Sequence, residues 1–212
     1  MSYTLLSATP SPYARKVRIA LLEKGVPFTL KTEVPWHEAT ETKLYNPLEK
    51  LPVLIPDDGD EPVFESRFIL EWLEYRHPTP PMVPDDPAGV IEARRIEAVA
   101  DGVCDAFVLT FFEERREQPS APWIARQQRK IDGGLAWLAR RVAAADGPFL
   151  CGRFGLADIA AGTLLTYLTV RRPGFAWAAE HPALARWAGE LEQRSSFAAT
   201  RPVPQNITEA VI

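Results

Sequence analysis

Between His77 and Pro87 the chain reads HPTPPMVPDDP, five prolines in eleven residues, and the hydrophobic pattern differs on its two sides. Proline fixes φ and lacks a backbone N–H, so this stretch cannot be regular helix. Upstream, short apolar runs alternate with helical periods. Downstream, every periodic segment is helical. A chain of 212 residues is long enough to divide its core between two such halves. The break therefore predicts one domain over residues 1–78, a second over residues 88–212, and a linker between them.

In the first half the expected strands are Tyr3 to Ser7, Phe28 to Glu33, Val53 to Ile55, and Val63 to Phe64. The last two flank DDGDE (Asp57 to Glu61), a run of hairpin-turn residues. Helices are expected from Pro12 to about Gly25 and from Arg67 to about Tyr75. The order β-α-β, an irregular stretch, then β-β-α predicts a four-stranded mixed sheet with helices. In the second half Ile91, Ile96, Val99, Val103, Phe107 and Phe111 mark one long helix. Ile124, Ile131, Leu135, Leu138 and Val142 mark another, which Gly147-Pro148 breaks. Leu156 to about Tyr167 is apolar all round, the pattern of a buried helix. A further helix follows Pro182 and runs to about Arg194, and an extended tail begins at Arg201. No strand is expected in this half.

Composition narrows the function classes. A net charge of −4 offers no global basic field for nucleic acid. The short positive cluster Arg15, Lys16 and Arg18 reads as a solvated helix face. No window approaches 18 consecutive apolar residues, so no membrane span is expected, and the N-terminus carries no secretory pattern. Cys104 and Cys151 show neither CxxC nor metal-ligand spacing, which suits a reduced, cytoplasmic protein. His37, His77 and His181 have no ligand spacing and read as solvated or capping, so no metal is expected.

Three short segments carry chemistry. Ser11 stands before Pro12 at the start of the first helix, where serine caps well and proline is favoured. A hydroxyl at the positive end of a helix can hold an anion such as a thiolate. In NPLEKLPVL (Asn46 to Leu54), Pro52 follows a loop and precedes a strand. A cis bond there would turn the Leu51 backbone outward to pair with an extended peptide ligand. Lys50 beside it could meet a carboxylate. In FES (Phe64 to Ser66), Ser66 reads as an N-cap whose hydroxyl and neighbouring N–H groups form an anion site, with Glu65 adding a negative charge. An amino-acid head group presents a carboxylate and an ammonium together, and this pair matches both. Each segment alone can equally be a helix cap, a strand start or a solvated charge.

In this order, strand, Ser-Pro helix, strand, Lys-Leu-Pro strand, strand and Glu-Ser helix, then a Pro-rich linker and an all-helical domain, the chain resembles the cytosolic glutathione S-transferases. The resemblance covers nearly the whole chain. It is nearest to bacterial members carrying SPxxRK and, through VRIAL (Val17 to Leu21), to the serine-type zeta class. It implies a thioredoxin-like glutathione domain followed by a helical domain, with glutathione as co-substrate, and a homodimer. Ser11 then matches the serine that hydrogen-bonds the glutathione sulfur. Leu51 matches the residue before the cis-proline, Lys50 a position that meets the glycyl carboxylate, and Glu65 and Ser66 the pair that holds the γ-glutamyl group. GLAD (Gly155 to Asp158) resembles the family's buried capping box, with Gly155 where serine or threonine is usual. Asp158 could still bond back to the Gly155 N–H.

Ser11 also separates reaction types. Glutaredoxin-like and omega-class relatives carry cysteine at this place, whereas this chain reads SPYA. A serine cannot form a mixed disulfide, but it can donate to a bound thiolate and lower its pKa. Conjugation of glutathione to a small electrophile is therefore expected over thiol–disulfide exchange. The electrophile site is expected between the domains, from Phe107, Phe111 and Arg115, with Tyr13 at its mouth. Two alternatives stand beside this reading. One is a non-catalytic interaction or regulatory protein on the same fold. The other is a glutathione-dependent isomerase, against which the absence of the zeta-class SSCxW signature speaks.

Overall fold

The computed structural model describes residues 2–208. The chain forms two compact units: residues up to Met82 together with the segment from Arg194, and Val83–Gln193.

The first unit holds β1 (Tyr3–Ser7), α1 (Pro12–Glu23), β2 (Phe28–Thr32), α2 (Thr42–Tyr45), β3 (Val53–Pro56), β4 (Val63–Phe64) and α3 (Ser66–Arg76). The sheet order is β2-β1-β3-β4; β1 and β2 are parallel, while β3 is antiparallel to both β1 and β4. This is the expected four-stranded mixed sheet of a thioredoxin-like domain. Leu5, Leu6, Val53 and Leu54 from the central strands are buried, as are Val17, Ile19 and Leu21 from α1 and Ile69 and Leu73 from α3. Two ends of α1 follow from sequence. Ser11 accepts the Ala14 N–H at 3.2 Å at its start. At its finish Gly25 takes φ +65°, and the Val26 and Gly25 N–H groups close on Leu21 and Leu22 carbonyls in a Schellman motif.

The second unit holds α4 (Pro87–Glu113), α5 (Ala121–Ala143), α6 (Leu156–Arg171), α7 (Trp177–Glu180) and α8 (Pro182–Leu191). Asp86 caps α4 through the Gly89 N–H at 2.8 Å, and Ser120 caps α5 through the Trp123 N–H at 3.4 Å. α6 is buried on nearly every side, as its composition requires. Asp158 reaches back to the Gly155 N–H at 3.0 Å, and its other oxygen accepts the Leu150 N–H at 2.9 Å. The glycine variant of the capping box thus keeps the carboxylate half of the motif.

A last short helix, α9 (Ser195–Ala198), belongs to the first unit. It corrects one sequence expectation. Arg15 and Lys16 are not on a solvated face: they are 2% and 1% exposed. The Arg15 guanidinium lies over the Phe197 ring at 5.2 Å and donates to the Phe197 carbonyl at 3.0 Å and to Thr200 Oγ1 at 3.3 Å. Its aromatic and carbonyl partners replace water around the charge.

Candidate functional site

The strand register gathers the three segments. Leu6 near the end of β1 pairs with Val53 at the start of β3, and Val53 pairs with Phe64 at the end of β4. One end of the sheet therefore leads into the Ser11 turn, receives the Leu51-Pro52 turn and leads into the Glu65-Ser66 turn. This convergence follows from β3 running against both neighbours.

At the first turn, Ser11 is half-buried and N-caps α1 in extended geometry. Its oxygen accepts the Ala14 N–H, which leaves the hydroxyl proton for another acceptor. Tyr13, also half-buried, is the second residue of the same helix. At the second turn, the Leu51–Pro52 bond is cis. The ladder begins at Val53, so Leu51 lies just outside it. Asn46 shapes the approach: its Nδ2 donates to the Lys50 carbonyl at 2.7 Å and its Oδ1 accepts the Leu48 N–H at 2.9 Å. The Lys50 side chain is exposed.

The third turn differs from expectation in one respect. Ser66 is not the N-cap of α3 but its first residue, and it is 1% exposed. Glu65 occupies the cap position with φ +70°, exposed, and its Oε1 accepts the Ser66 hydroxyl at 3.3 Å. The first intrahelical bond is the Ile69 N–H to the Glu65 carbonyl at 2.9 Å. The N–H groups before it carry the positive end of the helix dipole.

The other expected site residues lie in the second unit. Phe107 is 2% exposed, edge-on to Tyr167 at 5.6 Å. Phe111 is half-buried, with the Arg115 guanidinium 3.4 Å from its ring centroid. Sequence reading missed Arg171 and Arg172, whose guanidinia lie over Phe111 and Phe107 at 4.8 and 5.2 Å. The available signal was a basic pair directly after an apolar helix.

Neither cysteine offers a competing nucleophile. Cys104 is buried, and burial, followed by the nearby Asp158 charge, pushes the Cys151 thiol up to about 11. His77, expected to be solvated or capping, is instead partly buried against the Tyr3 hydroxyl at 2.7 Å. Among the described residues no cluster of three His, Cys, Asp or Glu side chains could hold a metal ion, and no helix is long and apolar enough to cross a membrane.

Residues 10–76 match the family model described as glutathione S-transferase, N-terminal domain, and residues 121–190 match glutathione S-transferase, C-terminal domain. The chain is 36% identical over 200 residues to the uncharacterized GST-like protein YibF of Escherichia coli (strain K12), an alignment covering 93% of this chain and 98% of that one. Among solved structures it is similar to a glutathione S-transferase of Methylobacterium radiotolerans in complex with glutathione sulfonate, with 57% identity, a TM-score of 0.96 and full coverage of both chains. A glutathione S-transferase of Methylobacillus flagellatus with glutathione bound is 37% identical, with a TM-score of 0.88 over 95% of this chain and 100% of that one.

Proposed function

The chain belongs to the glutathione S-transferase family, and from that premise we propose that it binds glutathione and activates its thiol for attack on a small electrophile. The observation that carries this reading is the convergence of the Ser11, Leu51-Pro52 and Glu65-Ser66 turns at one end of the sheet. The Leu51 backbone pairs with the cysteinyl part of the tripeptide. The start of α3 with Ser66 takes the γ-glutamyl carboxylate, and Glu65 takes its ammonium. Lys50 meets the glycyl carboxylate. Ser11 donates its hydroxyl proton to the sulfur, and the start of α1 adds positive potential. Both favour the thiolate over the thiol and so enlarge the nucleophilic fraction at neutral pH. Tyr13, Phe107, Phe111 and Arg115 serve the electrophile. The protein acts as a cytoplasmic homodimer; Leu44, Leu48, Phe68 and Tyr75 of the first unit are large apolar side chains with exposed surface that a partner subunit would cover.

The test is the thiolate absorbance of bound glutathione against pH in wild type and Ser11→Ala. Losing the cap costs about 0.5–2 kcal/mol of stability, so the variant folds. A hydrogen bond to a charged group is worth about 1.5–3 kcal/mol, which raises the bound thiol pKa by roughly one to two units. Conjugation near neutral pH slows in step. Ser11→Cys places a thiolate at a helix start and gains disulfide exchange. Identical titration and identical conjugation in wild type and Ser11→Ala would leave Ser11 as a helix cap alone.

A further inference from the structure

Within the second unit, the C-terminal ends of α4 and α6 meet. Phe107 touches Tyr167, and Arg172 Nη2, just past α6, donates to both carboxylate oxygens of Glu114, just past α4, at 2.8 Å each. This ion pair ties the two helix ends together. Beside it, Phe111 gathers two more guanidinia, Arg115 at 3.4 Å and Arg171 at 4.8 Å from its centroid. Among the described residues neither of these has a carboxylate within salt-bridge distance. Glu114, the acid at this end that pairs with an arginine, is already spent on Arg172.

Cations at helix C-termini are ordinarily explained by the helix dipole. That explanation covers part of Arg115, whose Nη1 donates to the Phe111 carbonyl at 2.6 Å. It does not cover the crowding of two like charges on one ring. Nor does it cover Arg171 Nε, which is shut away from solvent with no hydrogen-bond partner. A buried donor left unmade is costly. Tyr167 adds a further donor: burial pushes its hydroxyl up to about 12, so it stays protonated, and the Arg171 guanidinium lies over its ring at 5.9 Å. A planar fork of donors with surplus positive charge and aromatic surroundings is suited to a carboxylate on an aromatic frame.

We propose that Arg115 and Arg171 bind the anionic group of the electrophile, so that the preferred substrates are aromatic electrophiles bearing a carboxylate. This deepens, and rests on, the reading of the protein as a glutathione-conjugating enzyme. For an aryl chloride the step balances simply. The thiolate sulfur bonds to the ring carbon, the C–Cl bond breaks, chloride leaves with the electron pair, and the thiol proton has already passed to solvent.

The probes are 4-chloro-3-nitrobenzoate and its methyl ester, with rates divided by their uncatalysed rates, and the unreactive 3-nitrobenzoate for calorimetric binding. Wild type is expected to favour the acid over the ester by about tenfold or more, and added salt to erode the preference. Arg171→Gln and Arg115→Gln should each lower the acid's advantage and weaken 3-nitrobenzoate binding by a similar factor, with Arg171→Lys restoring part of it. Thermal unfolding of each variant establishes that it is folded. If 3-nitrobenzoate does not bind, or binds equally to wild type and both glutamine variants, the proposal is overturned, whatever the conjugation assays give. If it binds through the arginines but neither probe is conjugated, the anion site stands and the transferase reading fails.

Discussion

Glu65 is held at φ +70° and ψ 124°, a backbone that a residue with a Cβ enters only under constraint. Such a position costs about 1–3 kcal/mol and tends to persist at ligand sites. Glycine would relieve it, while adding about 0.5–1 kcal/mol of unfolded-state entropy. Glu65→Gly is therefore expected to stabilise the fold by about 1 kcal/mol while weakening glutathione binding, because the proposed acceptor for the ammonium is gone. Glu65→Ala should lose the binding without the gain in stability. Thermal unfolding and calorimetric titration of the three proteins measure both quantities; a less stable Glu65→Gly that binds normally would separate the strain from the ligand. This strain was not legible in FES, since nothing in three letters reports a φ angle. Serine caps well, which points to Ser66 as the cap, yet the backbone enters the helix one residue earlier. Arg15 and Lys16 depart from the sequence expectation for a related reason. Charged helix residues default to solvent, and the groups that bury Arg15, Phe197 and Thr200, lie more than 180 residues along the chain.

At the scale of elements, the cap signals at Ser11 and Gly25 stand at the two ends of α1, and all four strands lie where their apolar runs put them. The short helices α2, α7 and α9 escaped because four residues make barely one turn and carry no periodic pattern. One junction of elements was legible only as a break. Lys24, at the end of α1, donates to the His77 and Pro80 carbonyls at 2.8 Å each and meets Glu74 of α3 at 2.7 Å. Those three acceptors match its three N–H donors, so the start of the proline-rich segment is fastened to two helices. His77 sits in the same junction, and its pKa is lowered by burial and then by the Lys24 and Arg76 charges. The folded protein thus binds fewer protons at this site than the unfolded chain, whose histidine titrates near about 6.5. Its contribution is present above that pH and is lost as pH falls through the lower folded value. His77→Gln keeps a side-chain acceptor for the Tyr3 hydroxyl and cannot titrate. Its unfolding free energy should decline less steeply than wild type between about pH 6.5 and 5. Parallel curves in urea titrations over that range would remove His77 from the account.

At the scale of the molecule, the segment from Arg194 returns to the first unit and traverses it. Arg194 and Ser196 bind the Glu23 carboxylate, Phe197 and Thr200 receive Arg15, and the chain then runs on as an extended tail. Thr9 Oγ1 donates to the Val203 carbonyl at 2.9 Å, and the Val203 N–H returns to the Thr9 carbonyl at 3.4 Å. Gln205 Nε2 reaches the Glu33 carbonyl at 3.0 Å, and the Thr208 N–H reaches His37 at 3.2 Å. Thr9 lies in the turn that delivers Ser11, and Glu33 follows β2 at the same end of the sheet, where Ser7 pairs with Thr32. The tail therefore straps the loops around the proposed sulfur site while burying little apolar surface; Val203 itself is 59% exposed. Local order of this kind contributes little to global stability and much to the stillness of the loop it ties. A chain ending at Thr200 keeps every contact of Arg15 named above. Its melting temperature should fall by no more than about 4 °C, the shift expected from about 1 kcal/mol at this size. The amides from Thr9 to Ala14 should exchange at least about tenfold faster, the mark of a local opening that is easier by about 1.4 kcal/mol. Conjugation should slow through kcat more than through the KM for glutathione, because the Ser11 hydroxyl is held less well while the Glu65-Ser66 end of the site is untouched. Thr9→Val, which removes one bond of the clasp and leaves the tail in place, should show the same changes in smaller measure. Unchanged exchange in the shortened chain would mean that the β1–α1 turn is held by α1 alone and that the tail merely rests on it.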